Sequence, residues 1–72
     1  FSMGEASFIR IFVYDMKGRL INTLANEVFS TGIHSIKWDG LTKYNENIPS
    51  GIYFINFQLP DRNFTQKISF IK

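Results

Sequence analysis

One imidazole, His34, and six carboxylates are the side chains of this 72-residue chain that could do acid–base or metal chemistry near neutral pH. No cysteine joins them. Nucleophilic catalysis needs a hydroxyl or thiol held against a base, and there is neither a thiol nor a Gly-x-Ser-x-Gly elbow. A paired-carboxylate site needs two converging acids, whereas Asp15, Asp39 and Asp61 each stand where a turn favours aspartate. Asp15, Asp39 and Glu46 could meet at one end of a small domain and hold Ca²⁺, but no Asp-x-Asp-x-Asp-Gly spacing supports this. His34 alternates with Ile36 and Trp38, which reads as a half-buried strand residue rather than a ligand. No glycine-rich phosphate loop is present, and Tyr44 is the only aromatic in the long polar stretch that could stack on a sugar or base. These residues predict a protein that is not an enzyme and carries no cofactor or metal.

The elements that would position them read as β throughout. Ser7 to Tyr14 places Ile9, Ile11 and Val13 on one face and Arg10, Phe12 and Tyr14 on the other. Asp15-Met16-Lys17-Gly18 is a turn with Asp first and Gly fourth. A second strand is expected over Arg19 to Leu24, with Leu20 and Leu24 on one side. Ala25 to Thr31 is ambiguous, with Glu27-Val28-Phe29 as a short edge piece. A third strand is expected over His34 to Trp38, ended by Asp39-Gly40. Leu41 to Ser50 reads as a loop. Gly51 to Leu59 is the strongest strand, with Tyr53, Ile55, Phe57 and Leu59 on one face and Asn56 and Gln58 on the other. Pro60 to Asn63 forms a hairpin loop, and Phe64 to Ile71 returns antiparallel. No stretch keeps helical spacing over three turns, so five short strands predict an all-β antiparallel sandwich.

Size sets the energetic terms. A chain of this mass hides roughly 7,000 Å² on folding. The apolar part of that contributes on the order of 110 kcal/mol, close to the cost of ordering the backbone and side chains. Stability is therefore marginal, and no disulfide can supplement it. Eight Phe, three Tyr and one Trp are the compensating resource. A net charge of +2 with scattered basic residues gives no footprint for nucleic acid, and no apolar run is long enough for a membrane span. The opening Phe1-Ser2-Met3 reads as the interior of a longer polypeptide.

Three segments in order carry a resemblance: residues 11–21 (IFVYDMKGRLI) followed by Leu24, residues 32–40 (GIHSIKWDG), and residues 48–54 (IPSGIYF) closed by residues 67–72 (KISFIK). Together they resemble the C-terminal sorting domain of proteins exported by the type IX secretion system of Bacteroidetes. They also resemble the related Ig-like domain of the flagellar hook-capping protein. Each segment has its own physical reason. Gly18 supplies the positive φ of a tight bulged hairpin, Trp38 is a large inward plug, and Asp39-Gly40 reverses the chain. Pro49 stiffens the loop exit, Gly51 lets the backbone bend into the strand, and Tyr53 starts a buried face.

The resemblance implies one Ig-like domain over residues 1–72, at the C-terminus of a larger protein. It implies a non-catalytic sorting role, with the domain folding in the periplasm and the protein reaching the cell surface or medium. The implied partners are the upstream passenger domain and the outer-membrane export and sortase machinery. Gly51 and Tyr53 match a Pro-x-Gly-x-Tyr element that includes Pro49, and Lys67, Ile68, Phe70 and Lys72 match the terminal strand, so these are the recognition candidates. Asp15, Gly18, Trp38, Asp39 and Gly40 are expected to build the frame. Members usually begin with an Asn-Pro-Phe strand, and here only Phe1-Ser2-Met3 stands where its tail would lie. A partly missing first strand leaves a sheet edge for upstream sequence or a partner. A Lys67-to-Lys72 strand that ends the protein points to sorting, whereas the hook-cap domain is followed by more chain. An adhesive or carbohydrate-binding module is the third reading, and it would want several exposed aromatics on one face, for which Phe12 and Tyr14 are candidates.

Overall fold

Alternation of β-branched and aromatic residues makes Ser7–Asp15 (β2) the centre of the fold. The computed structural model describes residues 1–71, and Lys72, one of the recognition candidates, lies outside the described residues. Ile9, Ile11 and Val13 of β2 are fully buried on one face. Around β2 lie Leu20–Phe29 (β3), Gly51–Gln58 (β5) and Asn63–Phe70 (β6), giving a four-stranded antiparallel sheet in the order β3-β2-β5-β6. Ser2–Met3 (β1) and Gly32–Ile33 (β4) pair antiparallel as a second, two-stranded sheet. Backbone hydrogen bonds between Phe1 and His34 in both directions, 2.8 and 2.7 Å, extend that pairing by one residue. The chain is an all-β sandwich of two antiparallel sheets. Among the described residues no helix is long and apolar enough to cross a membrane.

Three expectations need correction. The second strand does not stop near Leu24 but runs to Phe29, because two register shifts absorb its broken alternation. Ile11 faces Ala25 and Phe12 faces Thr23, so Leu24 is an inserted residue; Val13 faces Asn22 and Tyr14 faces Leu20, so Ile21 is another. An inserted residue turns the chain by one side-chain position. Leu24 and Ile21 therefore pack on the core, and Leu20, expected beside Leu24, is on the outer face and 39% exposed.

The expected strand over His34 to Trp38 joins no ladder beyond the Phe1–His34 pair. Its alternation nonetheless holds, with His34, Ile36 and Trp38 half-buried and Ser35 and Lys37 exposed. Side chains dock this segment on the larger sheet, Ile36 on one buried cluster and Trp38 on the other.

Leu41 to Ser50 is a loop, as expected, and it folds back on itself. Leu41 bridges to Asn47, Thr42 N–H donates to the Glu46 carbonyl at 2.8 Å, and the Thr42 hydroxyl accepts from the N–H groups of Tyr44 and Glu46. At its exit Ile48 is driven into the core, 1% exposed.

Two apolar clusters result. Met3, Ile9, Ile11, Ala25 and Phe57 form one; Val13, Ile48 and Tyr53 form the other; half-buried Leu24 and Ile55 pack against both. The folded chain exposes 4980 Å², somewhat above the roughly 4,600 Å² that surface scaling gives for this mass. The core is thin, which makes each plug costly to lose.

Candidate recognition site

Residues from each of the three segments, Asp15, Trp38, Tyr53 and Ile68, meet at one end of the larger sheet. Asp15 on β2 pairs with Tyr53 on β5, and Tyr53 pairs with Ile68 on β6, so one row crosses three strands. One step further out, Gly51 pairs with Phe70. Trp38 closes this end from the other layer, edge-on to Tyr53 at 5.5 Å and tilted on Phe70 at 5.8 Å. Its indole N–H donates to the Leu41 carbonyl at 3.0 Å, an oxygen that also accepts from the Asn22 amide at 2.9 Å. The Tyr53 hydroxyl donates to the Pro49 carbonyl at 2.7 Å, pinning the chain just before β5. A tyrosine that bonds backbone a few residues upstream also fixes the corners of immunoglobulin-like sandwiches.

Within this group the sequence-derived candidates divide by access. Tyr53 is buried and Ile68 and Phe70 are half-buried, so they hold the frame. Pro49, Gly51 and Lys67 are exposed and open to a partner, Lys67 standing opposite Phe54 on the outer face. Ile71, beyond β6, is 83% exposed.

The frame residues each perform an identifiable task. Gly18 has φ of 79°, and its N–H donates to the Asp15 carbonyl at 3.0 Å. One Asp15 carboxylate oxygen accepts the N–H groups of Lys17 and Arg19, both at 2.9 Å, and the other accepts Arg19 Nε at 2.7 Å. These bonds, led by the Arg19 N–H and outweighing desolvation, hold the Asp15 carboxyl below the usual carboxylate range. Asp39 caps its own turn by accepting the Leu41 N–H at 3.1 Å. Gly40 is buried with φ of 77°.

The residues that could have done other chemistry lie apart. His34 Nε2 donates to the Ser30 carbonyl at 2.7 Å, since a carbonyl can only accept, and its ring packs on Phe1 and Phe29. Among the described residues no three of His, Cys, Asp and Glu converge as metal ligands. Tyr44 is 71% exposed, with Lys43 Nζ 5.3 Å from its ring centre. At the opposite end of the sheet an open hollow of about 500 Å³ is lined by residues including Met3, Glu5, Leu59, Asp61 and Arg62.

One surface is wider than the pair Phe12 and Tyr14 expected from the sequence. Phe8, Phe12 and Tyr14 of β2 and Phe54 of β5 all face outward from the four-stranded sheet, since Tyr14 pairs with Phe54 and Phe12 with Asn56. Phe12 and Tyr14 lie 6.2 Å apart between centroids, and Arg10 stands over Phe8 at 5.1 Å. Beside them the Asn56 amide donates to Asn63 at 2.7 Å and to Thr65 at 3.0 Å. The signal was in the sequence: Ile52 and Phe54 make β5 apolar on both faces.

Comparison with family models, with curated proteins and with solved structures finds no significant match to this chain.

Proposed function

We propose that this chain is a non-catalytic sorting domain of the type IX secretion kind, which carries a larger protein to the cell surface or medium. The observation behind this reading is the row Asp15–Tyr53–Ile68, with Trp38 across it. It brings residues of all three segments that carry the resemblance, Asp15, Trp38, Tyr53 and Ile68, to one end of the fold. Buried members of that end keep the shape, while Pro49, Gly51 and Lys67 present it to the export machinery. The test is a fusion of residues 1–72 to the C-terminus of a secreted reporter in a type IX-competent host. Export of the reporter supports the reading, and unchanged periplasmic retention refutes it.

A second reading has its own observation. Phe12, Tyr14 and Phe54 share an outward face with Arg10 and the amides of Asn56 and Gln58. Flat rings beside amide donors suit a carbohydrate-binding accessory module. Retardation of the domain in polysaccharide gels, abolished by Tyr14→Ala, would favour this reading; unaltered mobility would remove it. The hook-cap alternative has no separate observation in its favour.

A further inference from the structure

The two edges of the larger sheet are treated differently. β3 is guarded: two inserted residues break its regularity, the Ile21 carbonyl accepts the Lys43 N–H at 3.0 Å, and the Thr23 N–H donates to the Asn22 side chain at 2.8 Å. Such devices keep an edge from pairing with another chain. β6 has none of them. Its eight residues pair with β5 without a register shift, it contains no proline, Lys67 is its only charge, and no described element lies beyond it.

The outward-pointing backbone groups of β6 follow from the hairpin. The Leu59 N–H donates to the Arg62 carbonyl at 2.9 Å, which makes 59 and 62 a hydrogen-bonded pair. Antiparallel pairs alternate between bonded and non-bonded. The backbone of Phe64, Gln66, Ile68 and Phe70 therefore points to β5, and that of Asn63, Thr65, Lys67 and Ser69 points away from the sheet.

We infer that β6 pairs antiparallel with β6 of a second copy of this chain, about a two-fold axis at Gln66. Only an axis at the midpoint of Asn63, Thr65, Lys67 and Ser69 gives all of their outward groups partners: Thr65 meets Lys67 of the second copy, and Asn63 meets Ser69. The same axis sets exposed Phe64 beside half-buried Ile68 of the other copy, twice by symmetry, an aromatic–β-branched pair of the kind that stabilises sheets. No like charges oppose each other, because Lys67 faces Thr65. An isologous contact of this type closes on itself and yields a dimer rather than a fibre. The inference does not depend on the sorting reading.

The register is testable because the chain has no cysteine. In this arrangement Gln66 forms a non-bonded pair with itself, with Cα atoms about 4.5 Å apart, inside the range a disulfide spans. Gln66→Cys under mild oxidation is expected to give a covalent dimer, while Thr65→Cys and Lys67→Cys at the same concentration stay at least ten-fold less cross-linked. Sedimentation is expected to show a concentration-dependent doubling of mass, lost in Gln66→Lys while the far-ultraviolet circular dichroism is unchanged. A single-copy mass at millimolar concentration, equal cross-linking at all three positions, or stronger cross-linking at 65 or 67 would overturn it.

Discussion

The Phe70 ring fills the space that a side chain on Gly40 would need: a Cβ built there would overlap the ring. Gly40 also holds φ of 77°, where a Cβ is strained in any case. Together these make the turn after Trp38 and the end of β6 a single packed unit. Gly40→Ala is expected to cost about 2–4 kcal/mol, from left-handed strain and overpacking. Adding Phe70→Leu should restore part of the loss, because it relieves the overlap and leaves the strain. Urea midpoints of the two variants check this.

The Tyr53 hydroxyl bond to the Pro49 carbonyl ties the entrance of β5 to its own buried ring. Tyr53→Phe keeps the ring contact with Trp38 and removes that bond. About 1 kcal/mol of stability should be lost, read from the same denaturant titration. Hydrogen exchange at Gly51 and Ile52 should rise with it.

Asp15 makes stability depend on pH. Its carboxyl titrates lower in the folded chain than unfolded, so the charged form favours folding. That contribution is complete above the ordinary carboxylate range and disappears as pH falls through the lowered folded value. Asp15→Asn should be less stable than the parent at pH 7, with the difference closing in strong acid. Paired denaturation curves between pH 7 and pH 2 measure it.

Leu20 and Ile21 exchange the roles that simple alternation assigns them. Leu20→Ala should change stability by less than about 0.5 kcal/mol, as at an ordinary surface position. Ile21→Ala removes a side chain packed against the cluster of Val13, Ile48 and Tyr53 and should cost about 1–3 kcal/mol. Equal effects at the two positions, by thermal or urea unfolding, would place the inserted residue elsewhere.

These positions also show what was legible in the chain. Ile9, Ile11 and Val13 could be read directly, because a strand with neighbours on both sides and one buried face keeps a strict two-residue period. The β5–β6 hairpin was legible for the same reason. Leu20 falls on the other face from Leu24 because the inserted residue Ile21 between them leaves no mark in composition. The run His34 to Trp38 alternates like a strand, and its side chains divide like one, but pairing needs a neighbour that sequence periodicity does not reveal. Ile48 was hidden by its polar surroundings, although one β-branched residue just before proline in a ten-residue polar stretch was the signal available. The meeting of Asp15, Tyr53 and Ile68 depends on register between distant segments, and no local pattern encodes it.

The proposed recognition at the Tyr53–Phe70 end separates most cleanly from folding at Lys67, which is exposed and opposes Phe54 on the outer face. The decisive measurement is the exported fraction of the reporter fusion with Lys67→Glu, beside Lys17→Glu at the exposed turn as a control of equal charge change. The expected result is export of the parent and of Lys17→Glu, a fall of at least ten-fold for Lys67→Glu, and thermal midpoints within a few degrees for all three. Retention of the parent fusion in the periplasm, or equal export of all three, would contradict it.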